Sequence, residues 1–245
     1  MLVDFHCHTH FSLCGCHSLL EVINYAYQKG VQVQAITDHG PTLGGHIPTT
    51  FFDRFHPNLP NFTLLKGMEC NLLGDGKIDV IQKYLPYMDI VLLGLHPNTP
   101  PHQGSAFYTQ ELISAMQHNP CVDVLTHLNT PCYPVDFSTV IAAANQQGIA
   151  IELNNSKTNL QRSPDALTCE LIEACLAAHA KVVINTDAHC LNEIASDSAI
   201  QKLLANYTFA PDQIITQTPA QALKFVEERR IFKQASGQKT CSCQK

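Results

Sequence analysis

The chain alternates short apolar segments with longer amphipathic ones over most of its length. The apolar segments predict seven strands, at 2–5, 31–37, 63–68, 90–95, 122–126, 149–153 and 181–185. The amphipathic segments predict helices at 19–29, 109–117, 137–147, 164–178, 197–206 and 219–230, and a Pro- and Gly-rich stretch over 41–61 predicts a long loop. Strands that alternate with helices are typical of parallel sheets joined by right-handed crossovers.

Local signals fix several helix ends. Ser18 and Glu21 form a capping box before the first helix, and Gly30 follows its end. Ser163 with Pro164 and Thr218 with Pro219 are typical of an N-cap followed by the first helical residue. Seven strand–helix units suit a closed or nearly closed barrel better than the alternative, an open doubly wound sheet. We therefore predict one α/β barrel domain over 1–234 and a loose polar tail over 235–245.

The composition narrows the class of protein. With 45% hydrophobic and 15% charged residues, the chain can close a large core, and its net charge of −6 argues against stable binding to nucleic acid or to an anionic membrane. No signal peptide and no membrane-span window of ~18 to 20 apolar residues are expected. The 11 cysteines fit no disulfide framework, so we expect reduced thiols and a cytoplasmic location.

The candidate chemistry lies directly after the strands. Active sites of such barrels form at the carboxyl ends of the strands, and six of the seven predicted strands are followed there by His, Asp or Glu. Alternate strand residues share a face, so a pair at spacing two points the same way. The candidates are His6, His8, Asp38, His39, Glu69, His96, His127, Asp187 and His189. A polar barrel mouth without metal is the alternative interpretation.

The residue types indicate which metals would bind. Imidazole together with carboxylate suits Zn, Mn, Fe or Co, whereas Mg and Ca prefer oxygen ligands alone. A catalytic zinc uses about three protein ligands, so this many candidates imply at least two metals that share a carboxylate. Glu69 and Asp187 are the candidate bridging residues.

The same residues carry a resemblance to a known family. The run DFHCHT over 4–9 resembles the HxHT opening of the PHP family, named for polymerases and histidinol phosphatases. Further motifs of that family resemble the segments at 35–41, 67–71, 94–96, 125–127 and 185–189. The segments ITDHGP over 36–41 and IELNNS over 151–156 are similar to its YcdX-like phosphatase branch.

The resemblance implies a distorted (β/α)7 barrel of TIM type with a trinuclear metal centre at the carboxyl ends of its strands. It implies two to three divalent transition metals, with zinc favoured and manganese or iron as alternatives. It places one metal on His6, His8, Glu69 and Asp187, a second on Glu69, His96 and His127, and a third on His39, His189 and one residue of the loop after His8.

That loop residue is where the sequence departs from the family pattern. The branch expects a histidine six residues after His8, and Cys14 stands there. A thiolate binds zinc, so Cys14 is our candidate for the missing ligand. His10, Cys16 or His17 would supply the ligand instead if the loop were shifted, and a weak or empty third site is the remaining alternative.

The predicted function is a metal-dependent phosphoesterase. We expect a hydroxide that bridges the metals to attack a small-molecule phosphate monoester, without a covalent intermediate. We assign catalytic roles to Asp38, Glu69 and Asp187, and phosphate contacts to Arg162, Asn155 and Lys157. Asp38 is a candidate proton donor, as is His102, although we favour the alternative that Asp38 orients a metal-bound histidine.

Two other functions stay open from the sequence. One is a metal-dependent hydrolase of the amidohydrolase type, whose opening motif is also HxH but whose usual bridging lysine is not apparent. The other is a catalytically silent module with a binding role, which the loss of several ligands would indicate. The expected partner is a small phosphorylated substrate, and the sequence is compatible with a homo-oligomer.

Overall fold

A nearly closed barrel of parallel strands forms the centre of the molecule. The computed structural model describes residues 1–100 and 103–237. Seven strands pair in parallel in the order of the chain: β1 (Val3–Asp4), β2 (Val33–Ile36), β3 (Thr63–Gly74), β5 (Ile90–Gly94), β6 (Val124–Leu125), β7 (Ala150–Asn154) and β8 (Val182–Asn185). An eighth strand, β4 (Lys77–Ile78), pairs antiparallel with β3.

Backbone hydrogen bonds join the two ends of the sheet just beyond β1 and β8. The Asp187 N–H donates to the His6 carbonyl, and the His8 N–H donates to the Ala188 carbonyl, both at 2.9 Å. These bonds close the barrel on the side where the predicted metal ligands follow the strands. The predicted seven-stranded barrel is thus confirmed, and the doubly wound alternative is wrong.

Helices connect the strands and cover the barrel. They are α1 (Leu19–Gln28), α2 (Thr49–Asp53), α3 (Ser105–His118), α4 (Phe137–Gln146), α5 (Asn155–Asn159), α6 (Asp165–Ala177), α7 (Ser198–Leu204) and α8 (Pro219–Ala235). The Ser18–Glu21 capping box begins α1 as predicted, and Thr218 caps α8. In contrast, Pro164 is the N-cap of α6, because the Ser163 hydroxyl donates to the Asn129 carbonyl instead of capping the helix.

Several elements differ from the sequence prediction: α3 begins at 105 instead of 109, α8 ends at 235 instead of 230, and three further segments differ more. β3 continues past the predicted end at 68 to Gly74, because a tight turn at Asp75 (φ 52°) and Gly76 (φ 70°) folds β4 back onto it. The predicted loop at 41–61 contains α2, whose Phe51 and Phe52 are buried. α5 begins directly after β7, where the Asn154 side chain accepts from the Lys157 N–H and caps the helix.

The end of the barrel opposite the candidate site is sealed by α8. Its Phe225 is buried against the strand side chains and stacks on Phe5, with 6.5 Å between the ring centroids. Arg229 and Lys233 follow Phe225 on successive turns of α8. Arg229 Nε and Lys233 Nζ each donate to the buried Asp123 carboxylate at 2.9 Å. Asp123 lies just before β6, so α8 fixes the amino ends of the central strands.

Some of the predicted features fall outside the described residues. His102 and residues 238–245 of the predicted tail, with Cys241 and Cys243, lie in the segments that the structure does not describe. Among the described helices, none combines the length and apolar character that a membrane crossing needs.

Candidate metal centre

Glu69 lies at the centre of the candidate site, between two groups of histidines. Its side chain is 1% exposed, and it stands on the part of β3 beyond the predicted strand end. Oε1 lies 3.2 Å from His96 Nε2 and 3.0 Å from His127 Nε2. Oε2 lies 3.2 Å from His6 Nε2 and 3.0 Å from His39 Nδ1. His8 Nε2 lies 3.4 Å from Oε2 as well, so one carboxylate faces five imidazoles that come from four different strand ends.

Asp187 faces the two histidines that follow β1. Its Oδ1 lies 3.4 Å from His6 Nε2 and 3.3 Å from His8 Nε2, and these two ring nitrogens are 3.1 Å apart. Asp187 lies in the segment after β8. The closure of the barrel between β8 and β1 brings its side chain next to the residues that follow β1. His6, His8 and Asp187 form one group whose ligand atoms all lie within 4.8 Å of one another.

Cys14 joins a second group near the surface. Its thiol lies with ring nitrogens of His8, His39 and His189, all within 4.8 Å of one another. Burial acts to raise the pKa of Cys14, but hydrogen bonds to His189 and His39 outweigh it and lower the pKa to about 7. The structure therefore brings Cys14 together with three of the predicted metal ligands. A third group contains His39, Glu69 and His96.

Glu152 is a residue of the site that the sequence reasoning missed. It is fully buried on β7, and its Oε1 accepts a hydrogen bond from His6 Nδ1 at 2.7 Å. The same carboxylate accepts from the His127 N–H, from Asn154 Nδ2 and from Asn185 Nδ2, each at 2.9 Å. A charged residue inside an otherwise apolar strand was the available signal. Glu152 fixes the tautomer of His6 so that Nε2 is free to bind a ligand.

Other polar residues hold the remaining rings. His96 Nδ1 donates to Asn71 Oδ1 at 3.1 Å, which leaves His96 Nε2 facing Glu69. No hydrogen bond joins Asp38 to an imidazole among the described residues; it accepts from the Thr9 N–H, the Thr9 hydroxyl and the Ser12 hydroxyl. Ser12 in turn accepts from the His39 N–H. Asp38 therefore fixes the loop after β1, which fits the alternative that it positions ligands.

The charges of the centre are strongly coupled. Burial opposes the protonation of His6, but Glu69, Glu152 and Asp187 outweigh it and raise the His6 pKa well above its usual range. For His39, burial is likewise outweighed by Glu69, and the pKa rises to about 10. His8, in contrast, has a pKa lowered to about 3, chiefly by burial. The carboxylates thus create a negative field that protons or metal cations can neutralise.

The nitrogen, oxygen and sulfur atoms of the cluster are arranged as they would be around divalent transition metals, and hydrogen bonds among the side chains do not satisfy all of them. Among the described residues, neither Glu69 Oε2 nor His39 Nδ1 makes a well-directed hydrogen bond, although the two atoms lie 3.0 Å apart. His96 Nε2 lies 3.2 Å from Glu69 Oε1, while Nδ1 of the same ring is engaged by Asn71. A cation would give these atoms a shared partner, and imidazole with carboxylate and thiolate suits zinc in particular.

The backbone is strained or crowded where it presents these side chains. His127 (φ 34°) and Asp187 (φ 53°) adopt left-handed conformations that non-glycine residues seldom occupy. Gly94, the last residue of β5, lies under the rings: a Cβ there would stand 2.5 Å from His96 Cε1 and 2.9 Å from His127 Cε1. Such strain at strand ends is typical of functional sites.

The predicted phosphate-binding residues occupy different surroundings. Lys157 is half-buried in α5, near His127. Burial of the His127 ring, together with the charge of Lys157, lowers the His127 pKa to about 4. The Arg162 side chain is exposed and forms no hydrogen bond to the described residues of the centre. Asn155 is buried, and its Oδ1 accepts from the Ala199 and Ile200 N–H groups of α7, both at 3.1 Å. The structure thus uses the Asn155 oxygen to hold α7.

Comparisons with known proteins agree with this geometry. The PHP domain model matches residues 4–209. A probable phosphatase of Shewanella sediminis is 32% identical over 233 residues, which cover 93% of this chain and 94% of the relative. A probable phosphatase of Aliivibrio fischeri is also 32% identical, with 93% of each chain covered.

A solved structure shares the fold. The histidinol phosphate phosphatase of Lactococcus lactis, crystallised with zinc, L-histidinol and phosphate, superposes with a TM-score of 0.63 at 13% identity. The superposition covers 85% of this chain and 94% of that one. At this identity the similarity concerns the fold alone.

Proposed function

Because the chain belongs to the PHP domain family, we propose that it is a metal-dependent phosphatase that hydrolyses phosphate monoesters of small molecules. One observation supports this proposal most directly. The buried Glu69 carboxylate presents one oxygen to His96 and His127 and the other to His6 and His39. A carboxylate in that position suits two or more adjacent divalent cations, and such clusters serve hydrolysis at phosphorus.

We assign the metal-holding residues from these contacts. Glu69 is the shared ligand, and Asp187 serves the ion next to His6 and His8. Cys14, His39 and His189 form the third position, for which the thiol favours zinc. The proposed ligands are His6, His8, Cys14, His39, Glu69, His96, His127, Asp187 and His189. When bound, divalent cations lower the pKa of water toward ~7 and neutralise charge on phosphoryl oxygens.

The protein's own residues supply orientation and charge around this centre. Glu152 holds the His6 ring, Asn71 holds the His96 ring, and Asp38 fixes the loop between His8 and Cys14. Lys157 and the exposed Arg162 are the cations that we propose for binding the phosphate, since both follow β7 near the carboxyl end of the barrel. The organic part of the substrate is left to experiment.

Phosphate release from a panel of monoesters tests the proposal. The protein is stripped with a chelator and reloaded with zinc or manganese, and the wild type is compared with His96→Ala. We expect activity with reloaded metal, and a loss of at least about 100-fold in the variant, because His96 contacts the central carboxylate. Activity that survives full removal of metal would contradict the proposal.

A matched variant separates the loss of a ligand from the loss of any histidine. His118→Ala removes an imidazole of the same size from the exposed end of α3, where the ring forms hydrogen bonds with the Ser114 side chain and carbonyl. This variant should keep wild-type activity and metal content. If His96→Ala and His118→Ala behaved alike, the assignment of the centre would be wrong.

A further inference from the structure

Two thiols face each other beside the metal centre without belonging to it. Cys16 Sγ and Cys190 Sγ lie 3.2 Å apart, although the residues are 174 positions apart in sequence. Cys16 is exposed and Cys190 is half-buried, so both are accessible to small reagents. Cys14, in contrast, points its thiol toward His39 and His189. The pair is therefore distinct from the thiol that we assign to the metals.

We propose that Cys16 and Cys190 oxidise reversibly to a disulfide that ties the loop after β1 to the segment after β8. The backbones already lie side by side, because the Cys16 N–H donates to the His189 carbonyl at 2.9 Å. Neighbouring hydrogen-bonded segments are separated by about 5 Å, which falls within the Cα range that disulfides span. The sulfurs need to approach by only about 1 Å to reach a bond of ~2.05 Å.

The oxidant required is a low-molecular-weight disulfide of the glutathione class. The thiolate of one cysteine attacks a sulfur of that disulfide, forming a mixed disulfide and releasing one small thiol. The thiolate of the second cysteine then attacks the protein sulfur and releases the second small thiol. The protein loses two electrons and two protons, and the small disulfide gains both. Excess small thiol reverses the two steps.

The position of this bond would make it a clamp on the third metal position. Cys14 lies two residues before Cys16, and His189 directly precedes Cys190. The disulfide would thus join the two chain segments that bring Cys14 and His189 together. Disulfides in reducing compartments are typically transient and redox-sensing, which agrees with an exposed pair beside an active centre.

Cross-link mapping of the zinc-loaded full chain tests the inference. The protein is equilibrated at increasing ratios of oxidised to reduced glutathione, its free thiols are blocked with N-ethylmaleimide, and non-reduced peptides are analysed by mass spectrometry. We expect a peptide pair joined through Cys16 and Cys190, two hydrogens lighter than its separate parts and abolished by dithiothreitol. The readout involves no enzyme activity, so it succeeds or fails independently of the proposed function.

Matched variants identify the bond. Cys190→Ser should abolish the cross-link, whereas Cys132→Ser, which removes another exposed thiol, should leave it unchanged. The inference is overturned if Cys16 and Cys190 carry only glutathione or maleimide over the whole range. A dominant cross-link from Cys16 to Cys14, Cys241 or Cys243 overturns it as well.

Discussion

At the scale of single residues, Cys14 is the residue that tests whether the proposed centre holds a third metal. The structure places its thiol with His8, His39 and His189, as the proposed third position requires. We expect Cys14→Ala to lose about one equivalent of transition metal while the other equivalents stay bound. Inductively coupled plasma mass spectrometry on protein purified without a chelator or a His-tag measures this directly. A content of about two equivalents that is unchanged in Cys14→Ala would mean a structural thiol and a binuclear centre.

A glycine beneath the histidines gives a second test at this scale. A Cβ on Gly94 would overlap His96 Cε1 at 2.5 Å and Thr126 Oγ1 at 2.6 Å. We therefore expect Gly94→Ala to displace the rings and lower phosphatase activity by at least about tenfold, since small misplacements of reacting groups are costly. Gly104→Ala is the control, because no atom of the described residues lies within 4 Å of a Cβ there. Equal activity in the two variants would place the rings elsewhere.

The sequence predicted the proposed metal ligands, because they repeat a pattern of polar residues after strands. It missed the buried residues that form hydrogen bonds with those ligands. Each proposed ligand follows a predicted strand end, and the structure brings all of these residues together. Glu152 and Asn71 escaped attention because a buried polar residue in a strand gains its meaning only from its neighbours in space. Asn155 shows a second role that the sequence does not reveal: its place after a strand predicts a phosphate contact, and its oxygen also accepts hydrogen bonds from the start of α7.

At the scale of elements, the buried charges of α8 stabilise the end of the barrel opposite the candidate site. Asp123 accepts from Arg229, from Lys233 and from the Val91 N–H. Asp123→Ala would leave two buried cations without their counterion, which should lower the free energy of unfolding by about 3–5 kcal/mol. Urea denaturation measures this. Removing the exposed Glu227, which pairs with Arg230, should cost at most about 1 kcal/mol. Equal losses would contradict the role assigned to α8.

Periodicity and caps predicted the main elements within a few residues, because both signals are local. The strand–helix alternation predicted the barrel, and the α1 capping box lies where the sequence places it. The misses came from short elements. α2 and β4 have five and two residues, too few to show a hydrophobic period, and their tertiary contacts stabilise them.

At the scale of the whole molecule, the proposed metal centre connects the first and the last strand of the barrel. The proposed ligands include His6 and His8, which follow β1 at the start of the sheet, and Asp187 and His189, which follow β8 at its end, so bound ions would stabilise the closed form. Ions that bind only the folded state raise its stability by mass action, by about 2.7 kcal/mol at a concentration of 100 times the dissociation constant. Chelation should therefore lower the melting temperature of the entire protein in one transition.

The pH dependence of that effect has a definite sign. In the metal-free protein, the pKa of His6 is raised well above its usual range and that of His39 to about 10, so both rings carry protons that a metal must displace. In the metal-free protein, the free energy of unfolding that these two protonated rings contribute is fully present below about pH 6.5. This contribution is lost as the pH rises through the raised pKa values. The stabilisation by zinc should thus grow from pH 6 to pH 8, by about 1.4 kcal/mol per pH unit for each proton released. Calorimetry of stripped and zinc-loaded protein at pH 6, 7 and 8 measures the difference in melting temperature. A difference that stays constant or shrinks as the pH rises would show that metal binding displaces no protons from these rings, and the ligand roles of His6 and His39 would then fail.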